Sequence, residues 1–317
     1  MRLKLFTDAW KEEDLRRTEE PRGNVKKISL VITDLDNTLF DWFEIWYQPF
    51  NAMLDALAGE SGIPREAIER NFREVHQRHG TSEYAFAIEE LQCLKDLHPG
   101  DDLATRYAGA IDAYRAARRK VLQLFPTVEA TLREIKDSGC LVVAYTESME
   151  FYTRYRLKKL GLDPLLDYLY SPRDHRLPGG LTPEQIRFYS GEHYLLSHTK
   201  QFYTPPGELK PNPKVLIDII DQVGGQKESA LYVGDSLMKD VTMAKRAGVT
   251  DVYAKYGIAH NRAAYDLLRR VTHWPDSDVE REKELGEDEV NPGYVLETHF
   301  EEILDHFDFG RFHGQQA

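Results

Sequence analysis

The order of apolar and polar residues predicts two kinds of segment along the chain. Short runs of β-branched and apolar residues are typical of strands that are buried on both faces of a parallel sheet. Such runs occur at residues 28–33, 141–145, 168–170, 230–233 and 252–254. Apolar residues recur with a helical period at residues 128–135, 151–160, 215–223 and 241–247. Strand alternating with helix predicts an α/β fold with a doubly wound parallel sheet.

Residues 41–122 differ from the rest because they show helical periodicity and almost no strand signal. Their first apolar residues lie three or four apart and share one helix face: Phe43, Trp46, Phe50, Met53 and Leu57. Further stretches of the same kind follow before residue 122. Helices placed between two predicted strands indicate a small helical bundle that is inserted into a larger domain.

Other segments have no clear period. Residues 1–26 are mostly charged, and we expect them to form a leader. Residues 172–207 are rich in Pro, Gly, Tyr and His and predict a long loop within the core. Residues 277–289 form a dense acidic run, which we interpret as a solvated surface. The predicted organisation is the leader at 1–26, an α/β core domain at 27–40 and 123–317, and a helical domain at 41–122.

The composition limits the partners and the compartment. A formal net charge of −12 over 317 residues repels nucleic-acid phosphates. The two cysteines, Cys93 and Cys140, form no CxxC pair of the kind that binds zinc. No apolar stretch approaches the length of about 20 residues that spans a bilayer, and no apolar region of a signal peptide precedes the charged residues 11–22. We therefore expect a cytoplasmic protein without nucleic-acid or membrane partners, and its oligomeric state stays open.

Candidate chemistry lies where predicted strands end or a predicted helix begins. The polar side chains at these positions are Asp34 with Asp36, Thr146, Lys210, and Asp235 with Asp240. Each cluster alone is common in turns and helix caps. Ligands of doubly wound sheets bind beyond the carboxyl ends of the strands, so we expect these side chains to meet in one site.

The order of these clusters resembles the haloacid dehalogenase (HAD) superfamily, whose motifs are DxDxT, a Thr or Ser, a Lys and a GDxxxD-like acidic pair. The resemblance covers residues 28–304 and implies a Rossmann-like core with an inserted helical cap of the C1 type at residues 41–122. Such caps close over the site and select the substrate. Asp36 favours phosphatases and phosphomutases, because haloalkanoate dehalogenases lack an Asp there. Glu147 follows Thr146 where many relatives have Asn.

The resemblance also implies a role for each matched residue in phosphoryl transfer. Asp34 would be the nucleophile that forms an aspartyl-phosphate intermediate. Asp36 would protonate the leaving oxygen and later take a proton from water. Thr146 and Lys210 would bind the phosphoryl oxygens.

Magnesium is the expected cofactor. A carboxylate that attacks a phosphate anion is repelled by it, so a cation must lie between them. Hard oxygen ligands for Mg²⁺ would come from Asp34, Asp235, Asp240 and the backbone carbonyl of Asp36.

We therefore expect a magnesium-dependent phosphatase whose partner is a small phosphorylated metabolite. A phosphomutase, which keeps the aspartyl-phosphate from water, and a non-catalytic binding member of the superfamily stay open as alternatives. Trp42, Phe43, Trp46 and Tyr47 follow the nucleophile loop. These aromatic side chains would either line a pocket for an apolar or aromatic leaving group or pack the helical domain.

Overall fold

The structure is a computed structural model that describes residues 25–174, 182, 190–277, 280 and 290–314. Its strands are β1 (Lys26–Ile28), β2 (Leu30–Thr33), β3 (Leu141–Tyr145), β4 (Tyr168–Ser171), β5 (Lys200–Tyr203), β6 (Ala230–Gly234), β7 (Thr250–Ala254), β8 (Tyr294–Leu296) and β9 (Phe307–Phe309). Its α-helices are α1 (Trp42–Ser61), α2 (Arg65–His79), α3 (Ala87–Glu90), α4 (Gln92–Leu97), α5 (Leu103–Arg106), α6 (Ala108–Val121), α7 (Val128–Asp137), α8 (Glu150–Lys159), α9 (Pro213–Gln222), α10 (Thr242–Ala247), α11 (Tyr265–Val271) and α12 (Ile303–His306). The predicted leader lies outside the described residues except for its end, which enters β1.

The centre of the molecule is a seven-stranded parallel sheet in the order β5-β4-β3-β2-β6-β7-β8. β1 and β9 pair in parallel as a separate two-stranded sheet. Every residue of β2 and β6 is buried, because the runs LVIT and ALYVG present apolar side chains to both faces. One hydrophobic cluster joins Val31 to Leu132 and Leu157, and another joins Ile32 to Leu216. Both faces of the sheet are thus covered by helices, and the predicted α/β doubly wound fold is confirmed.

The register of the central strands brings three strand ends to one edge of the sheet. Thr33, the last residue of β2, lies opposite Ala144 of β3 and Val233 of β6. The polar clusters that follow these strands therefore lie side by side at the carboxyl edge.

Helices α1 to α6 lie between β2 and β3 and pack around their own hydrophobic cluster; we call them the helical unit. Helix α1 begins after Asp41, whose carboxylate accepts the backbone N–H of Glu44 at 3.0 Å. It ends at Gly62, whose φ of 70° is the left-handed conformation typical of helix ends. The cluster also contains Tyr265 and Leu268, so α11 from the C-terminal half of the chain completes the core of the helical unit.

The segment at residues 172–207 is not a loop throughout, contrary to the prediction. Lys200–Tyr203 form β5, the edge strand, in which Lys200 lies opposite Tyr168 of β4. The four residues of β5 alternate between exposed and half-buried positions and include a lysine, so the strand signal in the sequence is weak. Residues 175–181 and 183–189 of this segment lie outside the described residues.

The pattern of apolar residues also missed β8 and α11, which lie between β7 and the C-terminal end of the chain. The acidic run at residues 277–289 lies outside the described residues apart from residues 277 and 280. Among the described helices, none combines the length and the apolar character that a membrane span requires.

Candidate active site

The loop after β2 carries Asp34 and turns the chain into α1. The backbone N–H of Asp34 donates to the carbonyl of Val233 in β6 at 2.8 Å, which fixes the loop to the neighbouring strand. Asn37 has a φ of 57°, a left-handed conformation that Asn tolerates better than most residues. Its side-chain oxygen accepts the backbone N–H of Phe43 at 3.0 Å, and its own N–H donates to the carbonyl of Phe40 at 2.8 Å. The tight turn therefore depends on Asn37.

The turn after β7 supports this loop from the side. The hydroxyl of Tyr256 donates to the carbonyl of Thr38 at 2.5 Å. A Cβ atom placed on Gly257 would lie 1.8 Å from the carbonyl oxygen of Asn37 and 3.2 Å from the Cβ atom of Asp235. Only glycine allows the two loops to approach this closely.

Three carboxylates and one ammonium group meet at the carboxyl edge of the sheet. One side-chain oxygen from each of Asp34, Asp235 and Asp240 lies within 4.8 Å of the others. The Nζ atom of Lys210 is 2.5 Å from Oδ1 of Asp34 and 3.0 Å from Oδ1 of Asp240. The hydroxyl of Tyr232 donates to the same oxygen of Asp240 at 2.9 Å. Three of the four matched acidic residues and the lysine thus come together from distant parts of the sequence.

This cluster contains three carboxyl groups but only one ammonium group, that of Lys210. Burial raises the pKa of Asp34 to about 7, and the carboxylates of Asp240 and Asp36 add to this rise while Lys210 opposes it. Burial also raises the pKa of Asp235 well above its ordinary value, and the carboxylates of Asp240 and Asp34 contribute to this rise. Burial works against the charge of Lys210, but Asp240 and Asp34 raise its pKa well above the ordinary value. A divalent cation fits this site because its charge offsets the excess of carboxylates and its preferred ligands are oxygens.

Thr146 follows β3 and is buried at the same edge of the sheet. Its N–H donates to the carbonyl of Tyr170 at 3.0 Å, which extends the pairing of β3 with β4 by one residue. Its hydroxyl oxygen accepts the backbone N–H of Ser148 at 3.0 Å. This hydrogen bond fixes the side chain of Thr146 at the edge of the sheet.

Glu147 connects the loops that carry Thr146 and Lys210. One carboxylate oxygen of Glu147 accepts the backbone N–H of Lys210 at 2.7 Å, and the other lies 2.6 Å from Nζ of Lys239. Burial would raise the pKa of Glu147, but Lys239 and Lys210 lower it below the ordinary value, so the carboxylate is charged. The sequence singled out Glu147 only as a departure from the family pattern, and it gave no signal for Lys239.

Asp36 does not join the carboxylate cluster through its side chain. The hydroxyl of Ser148 donates to Oδ2 of Asp36, and Nη1 of Arg156 lies 3.3 Å from Oδ1. The second terminal nitrogen of Arg156 donates to Glu83 of the helical unit, whose other oxygen accepts Nε1 of Trp42 at 3.2 Å. Burial raises the pKa of Asp36, and Arg156 partly reverses this rise. Sequence reasoning missed Ser148, Arg156 and Glu83, because no local motif marks them.

The four aromatic residues at the start of α1 do not form one pocket. Phe43 and Trp46 are 0% and 2% exposed and belong to the hydrophobic cluster of the helical unit, so of the two alternatives they follow the one in which they pack this unit. Nε1 of Trp46 donates to the carbonyl of Ser82 at 3.1 Å. Trp42 and Tyr47 are partly buried and pack against the same cluster.

Comparisons with known proteins match the part of the chain that carries these motifs. The model of the haloacid dehalogenase-like hydrolase family matches residues 28–248, and that of a HAD-hydrolase-like family matches residues 209–298. The glyceraldehyde 3-phosphate phosphatase of Methanopyrus kandleri is 24% identical over 81% of this chain and 95% of its own length. Phosphoglycolate phosphatase 1 of Pseudomonas aeruginosa is 26% identical over 86% of this chain and 88% of its own. A solved HAD phosphatase from Thermococcus onnurineus is 18% identical, covers 90% of this chain and 100% of its own, and has a TM-score of 0.48.

The match to the first family model extends over more than half of the chain and includes both ends of the motif set, Asp34 and Asp240. The resemblance that the motifs indicated, and the hydrolase class that it implied, are confirmed. The chain belongs to the haloacid dehalogenase-like hydrolase family.

Proposed function

We propose that this protein is a magnesium-dependent phosphatase of a small phosphorylated metabolite that acts through an aspartyl-phosphate on Asp34. The observation that carries this proposal is the cluster of Asp34, Asp235 and Asp240, in which the ammonium group of Lys210 contacts Asp34 and Asp240. The names of the curated relatives, which are phosphatases of glyceraldehyde 3-phosphate and of phosphoglycolate, favour a phosphatase over a phosphomutase.

In the proposed first step, a carboxylate oxygen of Asp34 forms a bond to phosphorus while the bond from phosphorus to the ester oxygen breaks. The ester oxygen keeps the electron pair of the broken bond and takes a proton from Asp36. Lys210 and the hydroxyl of Thr146 hold the phosphoryl oxygens and stabilise the charge that develops on them. Magnesium, when bound by Asp34, Asp235, Asp240 and the Asp36 carbonyl, supplies positive charge between the nucleophile and the phosphate.

In the second step, water attacks the phosphorus of the aspartyl-phosphate and gives a proton to Asp36. The bond between phosphorus and the Asp34 oxygen breaks, which returns the carboxylate and releases inorganic phosphate. Asp36 thus ends the cycle with the proton that it began with. We infer that the helical unit is the C1-type cap that covers this site and keeps other water out.

The proposal is tested by release of p-nitrophenolate from p-nitrophenyl phosphate in Mg²⁺ and in excess EDTA. We expect activity in the wild type only with Mg²⁺, and we expect Asp34→Asn to lose it by a factor of at least about 10³. Asp218→Asn is a matched control, because this carboxylate lies on the surface and pairs only with Lys214, at 2.7 Å, among the described residues. Activity of Asp34→Asn at the level of the control would exclude the nucleophile role.

A further inference from the structure

Arg156 joins two carboxyl groups that come from different parts of the fold. Arg156 lies on α8 of the α/β core and is 3% exposed. One terminal nitrogen contacts Asp36 in the nucleophile loop, and the other contacts Glu83, which lies between α2 and α3 of the helical unit. The side chains of Asp36 and Glu83 are 20% and 11% exposed. This chain of contacts is therefore almost wholly shielded from water.

The guanidinium group is planar and rigid, so its two contacts depend on each other. When Glu83 holds one side of the fork, the other side has a fixed direction toward Oδ1 of Asp36. Ser148 holds the second oxygen, Oδ2. The carboxyl group of Asp36 is thus oriented from both sides, and one of those supports reaches back to the helical unit through Arg156.

The contact to Glu83 is itself fixed on the helical unit. Nε1 of Trp42 donates to Glu83 at 3.2 Å, and Trp42 stands at the start of α1. The N–H of Glu83 donates to the hydroxyl of Thr81 at 3.2 Å. Residues of the same unit therefore position Glu83. Its contact with Arg156 consequently depends on how that unit packs against the core.

We propose that Glu83 and Arg156 are positioning residues that orient the Asp36 carboxyl group for proton transfer to the leaving oxygen, so that correct packing of the helical unit completes the acid–base site. This inference rests on the proposed phosphatase function. The step that it serves breaks the O–H bond of Asp36 and forms an O–H bond on the ester oxygen, which receives the electron pair of the breaking bond to phosphorus. Neither Glu83 nor Arg156 gains or loses a proton.

The inference predicts that the loss of activity depends on the leaving group of the substrate. The p-nitrophenolate anion leaves without a proton, whereas the more basic phenolate depends on one. Phenyl phosphate and p-nitrophenyl phosphate are nearly the same shape, so a difference between them reports proton transfer rather than binding. A residue that only stabilises the fold affects both substrates equally.

The test measures kcat and KM for both substrates with Mg²⁺ in the wild type, Glu83→Gln and Arg156→Lys. We expect kcat/KM for phenyl phosphate to fall about 10²-fold in each variant, while kcat/KM for p-nitrophenyl phosphate falls by no more than about threefold. The comparison uses kcat/KM because this ratio reports the steps up to departure of the leaving group and excludes the hydrolysis of the aspartyl-phosphate, in which Asp36 acts for both substrates. Arg156→Lys keeps the charge but not the fork, so it tests orientation rather than electrostatic attraction. Equal losses of kcat/KM for the two substrates, or no loss for either, would overturn the inference.

Glu69→Gln is the matched control. Glu69 also lies on the helical unit, is 4% exposed, and pairs with an arginine of α11, Arg270, at 2.7 Å, but it lies away from the Asp36 network. We expect this variant to keep the wild-type ratio of the two kcat/KM values even if it is less stable. A wild type that hydrolyses neither phosphate contradicts the proposed function and this inference together. An active wild type with equal losses in the Glu83 and Arg156 variants contradicts the inference alone.

Discussion

At the scale of the residue, Gly257 controls how closely the turn after β7 approaches the nucleophile loop. A methyl group at this position would lie 1.8 Å from the carbonyl oxygen of Asn37, which is backbone and cannot rotate away. We expect Gly257→Ala to cost about 1–3 kcal/mol of unfolding free energy. We also expect it to lower kcat at least about tenfold, because the displaced loop carries Asp34. Chemical denaturation and p-nitrophenyl phosphate kinetics measure the two effects.

The control for this prediction is Gly59→Ala. Gly59 lies within α1, and a methyl group there would meet nothing within 4 Å. Alanine is the better helix former, so this variant should gain up to about 1 kcal/mol and keep its activity. If Gly257→Ala behaved like Gly59→Ala, the close packing of the two loops would have no role in the site.

The sequence could predict only those site residues whose position follows from a local motif together with the topology of the sheet. Asp34, Thr146 and Asp235 each follow a strand, so the parallel sheet brings them to one edge, and their proximity could be predicted. Glu83 is 73 residues from Arg156 and lies on a turn of the helical unit, and its partner lies on a helix with no motif. Contacts of this kind depend on how the helical unit packs against the core. A local sequence pattern carries no information about that packing.

At the scale of the element, α11 from the C-terminal half of the chain packs against the helical unit and forms a hydrogen bond with it. His76 of α2 is 1% exposed, and its Nδ1 atom is 2.6 Å from the carbonyl oxygen of Val271 at the end of α11. Burial lowers the pKa of His76 from 6.5 to about 4; the hydrogen bond to Val271 opposes this decrease, and the nearby His273 and His79 contribute to it. The neutral ring therefore joins the two helices by donating its Nδ1 proton.

This pKa shift predicts a loss of stability in acid. The unfolded chain takes up a proton on His76 near pH 6.5, whereas the folded protein resists it until about pH 4, so the contribution is complete above pH 6.5 and falls between these values. At pH 5 the loss is about 2 kcal/mol. Urea unfolding of the wild type and His76→Gln at pH 7 and pH 5 should show the difference between them shrink by that amount. A pH-independent difference would contradict the shifted pKa.

The two strands of the central sheet that the apolar pattern missed share one physical property. β5 and β8 have four and three residues, and each has exposed or half-buried positions. Strands of this kind lie at the two edges of the sheet, where one side lacks a neighbouring strand and burial is incomplete. The central strands β2 and β6 were predicted because burial on both faces leaves an uninterrupted apolar run.

At the scale of the whole molecule, the carboxylate cluster links metal binding to global stability. Without a cation, Asp34, Asp235 and Asp240 repel one another in a buried site, and Lys210 offsets only part of their charge. Mg²⁺ that binds only the folded protein should raise the unfolding free energy by about 2.7 kcal/mol at a concentration of 100 times its Kd. Thermal unfolding in Mg²⁺ and in EDTA measures this as a rise in Tm.

Asp235→Asn gives the second half of this prediction. We expect its Tm in EDTA to equal or exceed that of the wild type, because the substitution removes one of the repelling buried charges. The increase in Tm with Mg²⁺ should disappear in this variant and persist in the surface variant Asp218→Asn. An increase with Mg²⁺ in Asp235→Asn that matched the wild type would place the ion elsewhere.

The parallel pairing of β1 with β9 has a consequence for biosynthesis. Lys26 lies opposite Phe307 and Ile28 opposite Phe309, so two segments from opposite ends of the described chain share one small sheet. A ribosome that adds about 5–20 residues per second needs roughly 15–60 s to make the chain between them. During that time β1 has no partner strand, and the neighbouring β2 can already pair with β3. Among the described strands, the pairing of β1 with β9 is therefore the last to become available, and it forms only after residue 309 has been synthesised.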